Sequence, residues 1–501
     1  MRIFTRLLIL SLAIALPSCQ PLFPLFRTLP DTNKHVPDQN IILFRTSTND
    51  GITVPMPVRF QRQMLDRVNQ SLRNAGKEPV IIRSWCPCDS SLVLLEGKDL
   101  DLLNISGKEM ASSTRPSGGV EGNPPTGTVS YDGASNTLKW EELIAGGSPN
   151  YILTLPYTVT DGKTIITTPT FELPTTPTTQ PFIVAITDTG IRPEKYPAVN
   201  NWFWVNPDEI QQANQDNNGM VDDRIGWDFV NKGKMPFDSN GHGTLVASLI
   251  HEQLGNAEWV NGHVRFMYLK TFDANGKGTL FNNMCALSYA RQKGAKIVNA
   301  SWGYYNAHKS ALLDYFLREL KDNQVLFVAA AGNTSPEIEN SWLNLIPQSS
   351  FRNLEINPFW PANYSLSHDN VITVTTVHPK GESPPSAHST RNYNAYETCE
   401  DQNRSDRFVN AGVLNITQKK ADCNVRDFTK EPPVFTSGSS FAAPVLTGKL
   451  AAKLGQNWPG NQRSVLLDAL DQLPPPVPGQ PVLRRHASLE SQINKGVFII
   501  R

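Results

Sequence analysis

Three short segments carry residue types that together could break a peptide bond. Val184-Ala185-Ile186-Thr187-Asp188-Thr189-Gly190 sets a carboxylate at the end of a continuous apolar run. Asp238-Ser239-Asn240-Gly241-His242-Gly243-Thr244 sets an imidazole where a helical pattern begins. Thr436-Ser437-Gly438-Ser439-Ser440-Phe441-Ala442-Ala443-Pro444 sets a hydroxyl at the start of an Ala-rich helix. Acyl transfer to a hydroxyl needs a base that takes its proton and an anion that orients the base and stabilises its charged form. In this reading Ser440 is the nucleophile, His242 the general base and then acid, and Asp188 the orienting carboxylate. Gly243 lets backbone approach closely beside the His, and Gly438 permits a tight entry to the Ser helix. The helix N-terminus aims free N–H groups at developing negative charge. The oxyanion donors are the Ser440 N–H and the side chain of Asn333, which follows the apolar run Phe327-Val328-Ala329-Ala330-Ala331-Gly332.

The elements that must position these groups are legible as apolar runs. Phe182 to Ile186 reads as a strand buried on both faces, and similar runs recur at 264–269, 296–299, 325–330 and 371–377. Helical patterns lie between them at 243–253, 281–293 and 311–323. Strands alternating with helices predict an α/β fold, a parallel sheet with helices on both faces and ligands at the carboxyl ends of its strands. A smaller α+β region precedes it. There, a polar, turn-rich stretch to about Pro55 is followed by a helix over Arg59 to Ala75, with Met64, Leu65, Val68 and Leu72 on one face. Short β-like runs follow at Val80 to Ile82, Leu92 to Leu95 and Tyr151 to Leu155. Residues 171–180 form a Pro/Thr-rich linker.

The order Asp, His, Asn, Ser, each in its flanking motif, resembles the subtilisin family of serine proteases. A lone Asp-Thr-Gly or His-Gly-Thr is weak, and their joint occurrence on the expected elements carries the resemblance. Leu245 stands where the family's His motif usually has a second His; Ser439 and Phe441 replace Thr and Met around the nucleophile. Asn299-Ala300-Ser301-Trp302-Gly303 resembles the strand that binds substrate backbone beside the primary specificity pocket, and Ala330-Ala331-Gly332 resembles another wall of that pocket. The resemblance covers roughly residues 181–455, with 456–501 as a C-terminal tail. It implies a serine endopeptidase acting on polypeptides with no required cofactor. The competing reading is a catalytically inactive relative that serves as an envelope scaffold or binding protein. His242 excludes the acid-acting relatives that carry Glu at this position.

The chain has 501 residues, with 46 Lys+Arg against 46 Asp+Glu, a balance that gives no reason to expect nucleic acid as partner. Arg2 and Arg6 precede an apolar run, Leu7 to Leu16, too short to span a bilayer. Leu16-Pro17-Ser18-Cys19 resembles the bacterial lipobox. It implies a signal peptide over 1–18 and a diacylated Cys19 that ties the protein to a lipid bilayer; the other reading is a secretory signal cut near Ser18. Gln20 in place of Asp favours, by resemblance, the outer membrane of a Gram-negative cell. Residues 19–170 are an accessory region or a propeptide. The family commonly has a propeptide that fills the cleft, whereas the region's length and the proline-rich linker favour retention. Asp216, Asn218 and Asp222, around Gly219, are candidate calcium ligands, although such a cluster also suits a solvated turn. Cys399 and Cys423 could pair. Cys86 and Cys88 are too close to bridge each other without strain, so a strand-end turn or bridges to other cysteines remain open, and Cys285 reads as a buried thiol.

Overall fold

The computed structural model describes residues 35–44, 47–49, 52–54, 58–98, 130–132, 137–139, 144–155, 174, 176–210, 218–306, 308–332, 354, 358–377, 413–417, 425–427, 429, 434–436, 439–471, 483–485 and 498–500. The N-terminal part contributes β1 (His35–Phe44), α1 (Val58–Asn74), β2 (Ile81–Cys86), β3 (Asp89–Glu96) and β4 (Ile144–Thr154). The remainder contributes β5 (Phe182–Asp188), β6 (Gly226–Asp228), α2 (His242–Glu252), β7 (Val264–Lys270), β8 (Lys277–Thr279), α3 (Leu280–Gln292) and β9 (Ile297–Ala300). After these come α4 (Ala311–Asp322), β10 (Leu326–Ala330), β11 (Val371–Val377), β12 (Val413–Thr417) and α5 (Ser439–Leu454).

Seven strands form one parallel sheet in the order β6-β7-β5-β9-β10-β11-β12. Every residue of β5 is buried, as its unbroken apolar run requires when both faces are covered. Ile183 and Ala185 face a core shared with α3 and α4. Val184 and Ile186 face a second core that holds Val246 and Ile250 of α2 with Ala443 and Leu446 of α5. The predicted α/β architecture is therefore present.

Four strands of the N-terminal part and β8 of the remainder form a five-stranded antiparallel sheet in the order β8-β4-β1-β3-β2. The helix expected over Arg59 to Ala75 is α1, and its buried Met64, Val68 and Leu72 pack on Ile42, Phe44, Val93 and Leu95. β1 corrects the expectation of a turn-rich stretch to about Pro55. Its polar first half is partly exposed, and its Ile41-Ile42-Leu43-Phe44 end supplies a central strand between β3 and β4. The opposite face of this sheet carries Ile41, Leu43, Leu92, Leu94 and Leu153, which join the same core as α3, α4 and the parallel sheet. Asn150 of β4 accepts from the Phe281 N–H (3.1 Å), satisfying a donor in the first turn of α3 that the helix itself cannot use. Ser310, the N-cap of α4, donates to Ser148 of β4 at 2.9 Å.

Candidate active site

Asp188 ends β5 at the carboxyl edge of the parallel sheet, and His242 opens α2. The His242 Nδ1 lies 2.8 Å from Asp188 Oδ1 and 3.0 Å from Oδ2. The Thr189 N–H donates to the same Oδ1 at 2.8 Å, and the Thr189 hydroxyl accepts from the Gly243 N–H at 2.8 Å. Gly243 is required here by contact distance: a Cβ on it would stand 2.4 Å from the Gly190 carbonyl oxygen. Gly241, just before the His, holds φ at 107°, a conformation that glycine adopts without strain.

The turn into α2 is fixed by Asp238. Its Oδ1 accepts from the N–H groups of Asn240 (2.9 Å) and Gly241 (2.7 Å), and its Oδ2 from the N–H (2.9 Å) and hydroxyl (2.6 Å) of Thr244. Burial pushes the Asp238 carboxyl up, but the Lys270 ammonium, the Gly241 N–H and the Thr244 hydroxyl outweigh it and hold the group below the usual carboxylate range. Lys270, buried at the end of β7, donates to the carbonyls of Thr189 (2.7 Å) and Phe272 (3.0 Å).

Ser440 lies in the first turn of α5 and is 0% exposed. α5 and α2 pack so closely that a Cβ on Gly448 would meet the Ile250 carbonyl oxygen at 2.4 Å. The Phe441 ring lies 5.2 Å from the His242 ring. The His242 Nε2 and the Ser440 Oγ are both buried and have no hydrogen-bond partner among the described residues. Leaving a buried polar atom unpaired costs about 1–3 kcal/mol. Other buried side-chain atoms, such as the Tyr268 hydroxyl and Trp458 Nε1, share this state, but these two are the ones that proton transfer from a serine nucleophile would use.

The predicted substrate strand joins this site through a network that sequence reasoning did not find. The Ser301 hydroxyl donates to the Ser440 carbonyl (2.7 Å) and accepts from Asn299 Nδ2 (3.0 Å). Asn299 Oδ1 in turn accepts from the Thr447 hydroxyl at 2.9 Å. Thr447 lies seven positions after Ser440, on the same face of α5, a signal that helical spacing could have supplied. The Trp302 side chain is fully buried and donates from Nε1 to the Thr187 hydroxyl at 2.8 Å. The wall Ala330-Ala331-Gly332 is tied to the nucleophile's helix by Ser439, which donates to the Gly332 carbonyl at 3.0 Å.

A segment of the N-terminal region bridges to Gly303, three residues beyond the end of β9. The Thr154 N–H donates to the Gly303 carbonyl (3.1 Å), and the Gly303 N–H donates back to Thr154 (3.3 Å). On its other side the segment pairs antiparallel with β8, Thr154 opposite Lys277 and Leu153 opposite Gly278, and the Leu155 N–H donates to the Gly276 carbonyl at 3.1 Å. Leu153 and Leu155 are 0% and 3% exposed.

The predicted Asn333, Gly438, Asp216 and Cys19, and the Cys399–Cys423 pair, lie outside the described residues. Of the predicted calcium ligands, Asn218 accepts from the Met220 N–H and donates to Asp223. Asp222 forms ion pairs with Arg224 (2.8 Å) and Lys234 (2.7 Å). Among the described residues no group of three or more His, Cys, Asp and Glu side chains is arranged to hold a metal.

Residues 179–477 match the Subtilase family. The chain is 27% identical over 218 residues to Subtilisin-like protease 1 of Plasmodium berghei, covering 42% of this chain and 35% of that protein. It is 26% identical over 270 residues to the Thermophilic serine proteinase of Bacillus sp. strain AK1, covering 53% of this chain and 55% of the relative. Among solved structures, fervidolysin from Fervidobacterium pennivorans, a keratinolytic enzyme related to subtilisin, aligns with a TM-score of 0.43 at 16% identity, over 87% of this chain and 57% of that one. The chain thus spans about a third of the Plasmodium berghei relative's length and about half of the Bacillus one.

Proposed function

Because the chain belongs to the subtilase family of serine endopeptidases, we propose that it is an active one, hydrolysing peptide bonds through an acyl-enzyme on Ser440. The observation that carries this reading is the Asp188–His242 contact at 2.8 Å, with His242 Nε2 and Ser440 Oγ unpaired beyond it. The Ser440 oxygen attacks the carbonyl carbon as its proton passes to Nε2. Asp188 holds the imidazole by Nδ1 and stabilises the imidazolium. Nε2 then gives the proton to the leaving amine, and water releases the acyl group by the same route in reverse. The Ser440 N–H and Asn333 are the proposed oxyanion donors.

The same site accounts for the N-terminal region. Leu153-Thr154-Leu155 lies as an extended peptide between Gly276 to Thr279 on one side and Gly303 on the other, as a polypeptide substrate would. The N-terminal region is therefore a propeptide whose last strand fills the acyl side of the cleft, and the bond to be cut lies within a residue or two of Leu155. The Pro/Thr-rich residues 171–180 lie downstream of this pairing, so their missing N–H groups do not hinder β4. The buried Leu153 and Leu155 further point to a preference for apolar residues at alternate positions before the cut. Profiling of cleaved peptides from a proteome-derived library should show that preference, with no cleavage by the Ser440→Ala chain. Uncleaved libraries with both proteins would contradict the assignment. Export as a lipoprotein through Cys19 to an outer membrane is proposed from residues 1–20 alone; Cys19→Ser should move the protein from the membrane to the soluble fraction.

A further inference from the structure

Three thiols meet where the N-terminal sheet docks on α3. Cys86 closes β2, Cys88 lies in the turn to β3, and Cys285 belongs to α3. The sulfurs of Cys86 and Cys88 are 3.7 Å apart, and the Cys88 thiol lies 3.6 Å from the Cys285 carbonyl oxygen. Cys86 and Cys285 belong to the same buried core, and each residue is 1% exposed. The turn is held in place by polar ties to α3: Gln292 donates to the Cys88 carbonyl (2.9 Å), and Ser288 donates to Asp89 (3.1 Å). The alignment of a turn from one region with a thiol of the other is thus set by bonds that do not involve sulfur.

We infer that Cys86 and Cys285 are the two ends of a disulfide that staples the N-terminal region to the peptidase domain, with Cys88 as the exchange thiol. Cys88, the one only partly buried, meets a small-molecule disulfide RS–SR; its thiolate attacks one sulfur and expels RS⁻. Cys86 attacks the Cys88 sulfur of that mixed disulfide and expels the second RS⁻. A bridge between residues two apart is strained. Cys285 relieves it by attacking Cys86 and releasing Cys88 as the thiol. Two protein thiols and one RS–SR become one protein disulfide and two RSH.

Burial raises the Cys86 thiol well above its usual range and pushes Cys285 up to about 11; the bond to Cys86, followed by burial, raises Cys88. Thiolates are therefore scarce once the regions have docked. The exchange runs while the interface is assembling, and the finished bond is shielded from reductants.

The consequence rests on the propeptide reading above. A cut just beyond Leu155 would otherwise part the catalytic domain from everything upstream, Cys19 included. With Cys86 bonded to Cys285, the cut chain stays in one covalent piece, and release of the N-terminal region needs a reductant as well as proteolysis.

The test uses the uncut Ser440→Ala full chain equilibrated with glutathione disulfide, denatured, alkylated and digested with trypsin without reductant. Mass spectrometry should find peptide 84–98 joined to peptide 278–291 and the joined mass lost on reduction. The link should form more slowly but still be reached at equilibrium in Cys88→Ser, and vanish in Cys86→Ser. Recovery of both peptides fully alkylated would overturn the staple, as would a link that survives Cys86→Ser and is lost in Cys88→Ser. This readout needs no peptidase activity, so it fails independently of the catalytic reading. In the wild-type chain after self-cleavage, the N-terminal fragment should separate on a denaturing gel only with dithiothreitol. Separation without it would also overturn the staple.

Discussion

Thr154 and Gly303 exchange two backbone hydrogen bonds, at 3.1 and 3.3 Å, across the boundary between the N-terminal region and the predicted substrate strand. Gly303 cannot be another residue: a Cβ there would stand 2.3 Å from the Phe359 ring and 2.6 Å from the Trp360 carbonyl oxygen. The strand edge is thereby left bare for an extended peptide, and the chain's own β4 takes it.

Thr154→Pro removes the N–H that donates to Gly303. A lost hydrogen bond of roughly 1–1.5 kcal/mol corresponds to about a tenfold change in occupancy of the edge. In the uncut Ser440→Ala chain, Thr154→Pro should speed hydrogen exchange of the Gly303 amide, which donates to Thr154, about tenfold. Equal rates would mean that β4 does not guard the cleft.

Gly243→Ala should leave the secondary structure intact and lower turnover. The added methyl would press on the Gly190 carbonyl, 2.4 Å away, and displace His242 from Asp188. A shift of about 1 Å in a catalytic group costs on the order of 100-fold in rate. Steady-state kinetics on a peptide substrate measures it, and an unchanged kcat would show that His242 tolerates the shift.

Asn333→Ala should lower kcat by about 100-fold with little change in KM, the loss known for the corresponding donor of subtilisin. A fall confined to KM would place Asn333 in substrate binding.

The Asp238 carboxyl is held below its unfolded value, so its stabilisation is present above about pH 3.9 and is lost as pH falls through the lower, folded value. Asp238→Asn should lower Tm at pH 7, and the gap to wild type should narrow below pH 4. Lys270→Met, which removes the buried ammonium that donates to the Thr189 and Phe272 carbonyls and favours the Asp238 carboxylate, should also destabilise at pH 7, by about 1–3 kcal/mol. Calorimetry at pH 7 and pH 3 checks both; a gap that widens in acid would contradict the assignment.

The proposed triad can be read from the sequence because Asp188, His242 and Ser440 sit in local motifs, each at the end of a run whose period names its element. β5 shows an unbroken apolar run, and Gly243 at the start of α2 and Gly448 within α5 stand where any side chain would clash. What sequence could not supply was the company these residues keep across the chain. Lys270 reads as an ordinary strand-end charge, yet it is buried and holds the Thr189 and Phe272 carbonyls. Asn299 and Thr447 lie far apart in sequence and meet only through the sheet. β1 was missed because its exposed half, His35 to Asn40, is polar and only its last four residues carry a core signal. Tyr151 to Leu155 was recognisable as β-like, but pairing with β8 and Gly303 over long sequence separations left no mark in its composition.

The most direct test of the account is to map the site of fluorophosphonate modification. The full chain is labelled and digested, and the adduct is located by mass spectrometry in the wild type and in His242→Ala. The account predicts an adduct on Ser440 in the wild type and labelling slower by at least 100-fold without the imidazole, because the general base is what activates the hydroxyl. An adduct on another residue, or equal labelling in His242→Ala, would contradict the assignment of Asp188, His242 and Ser440 as the catalytic machinery.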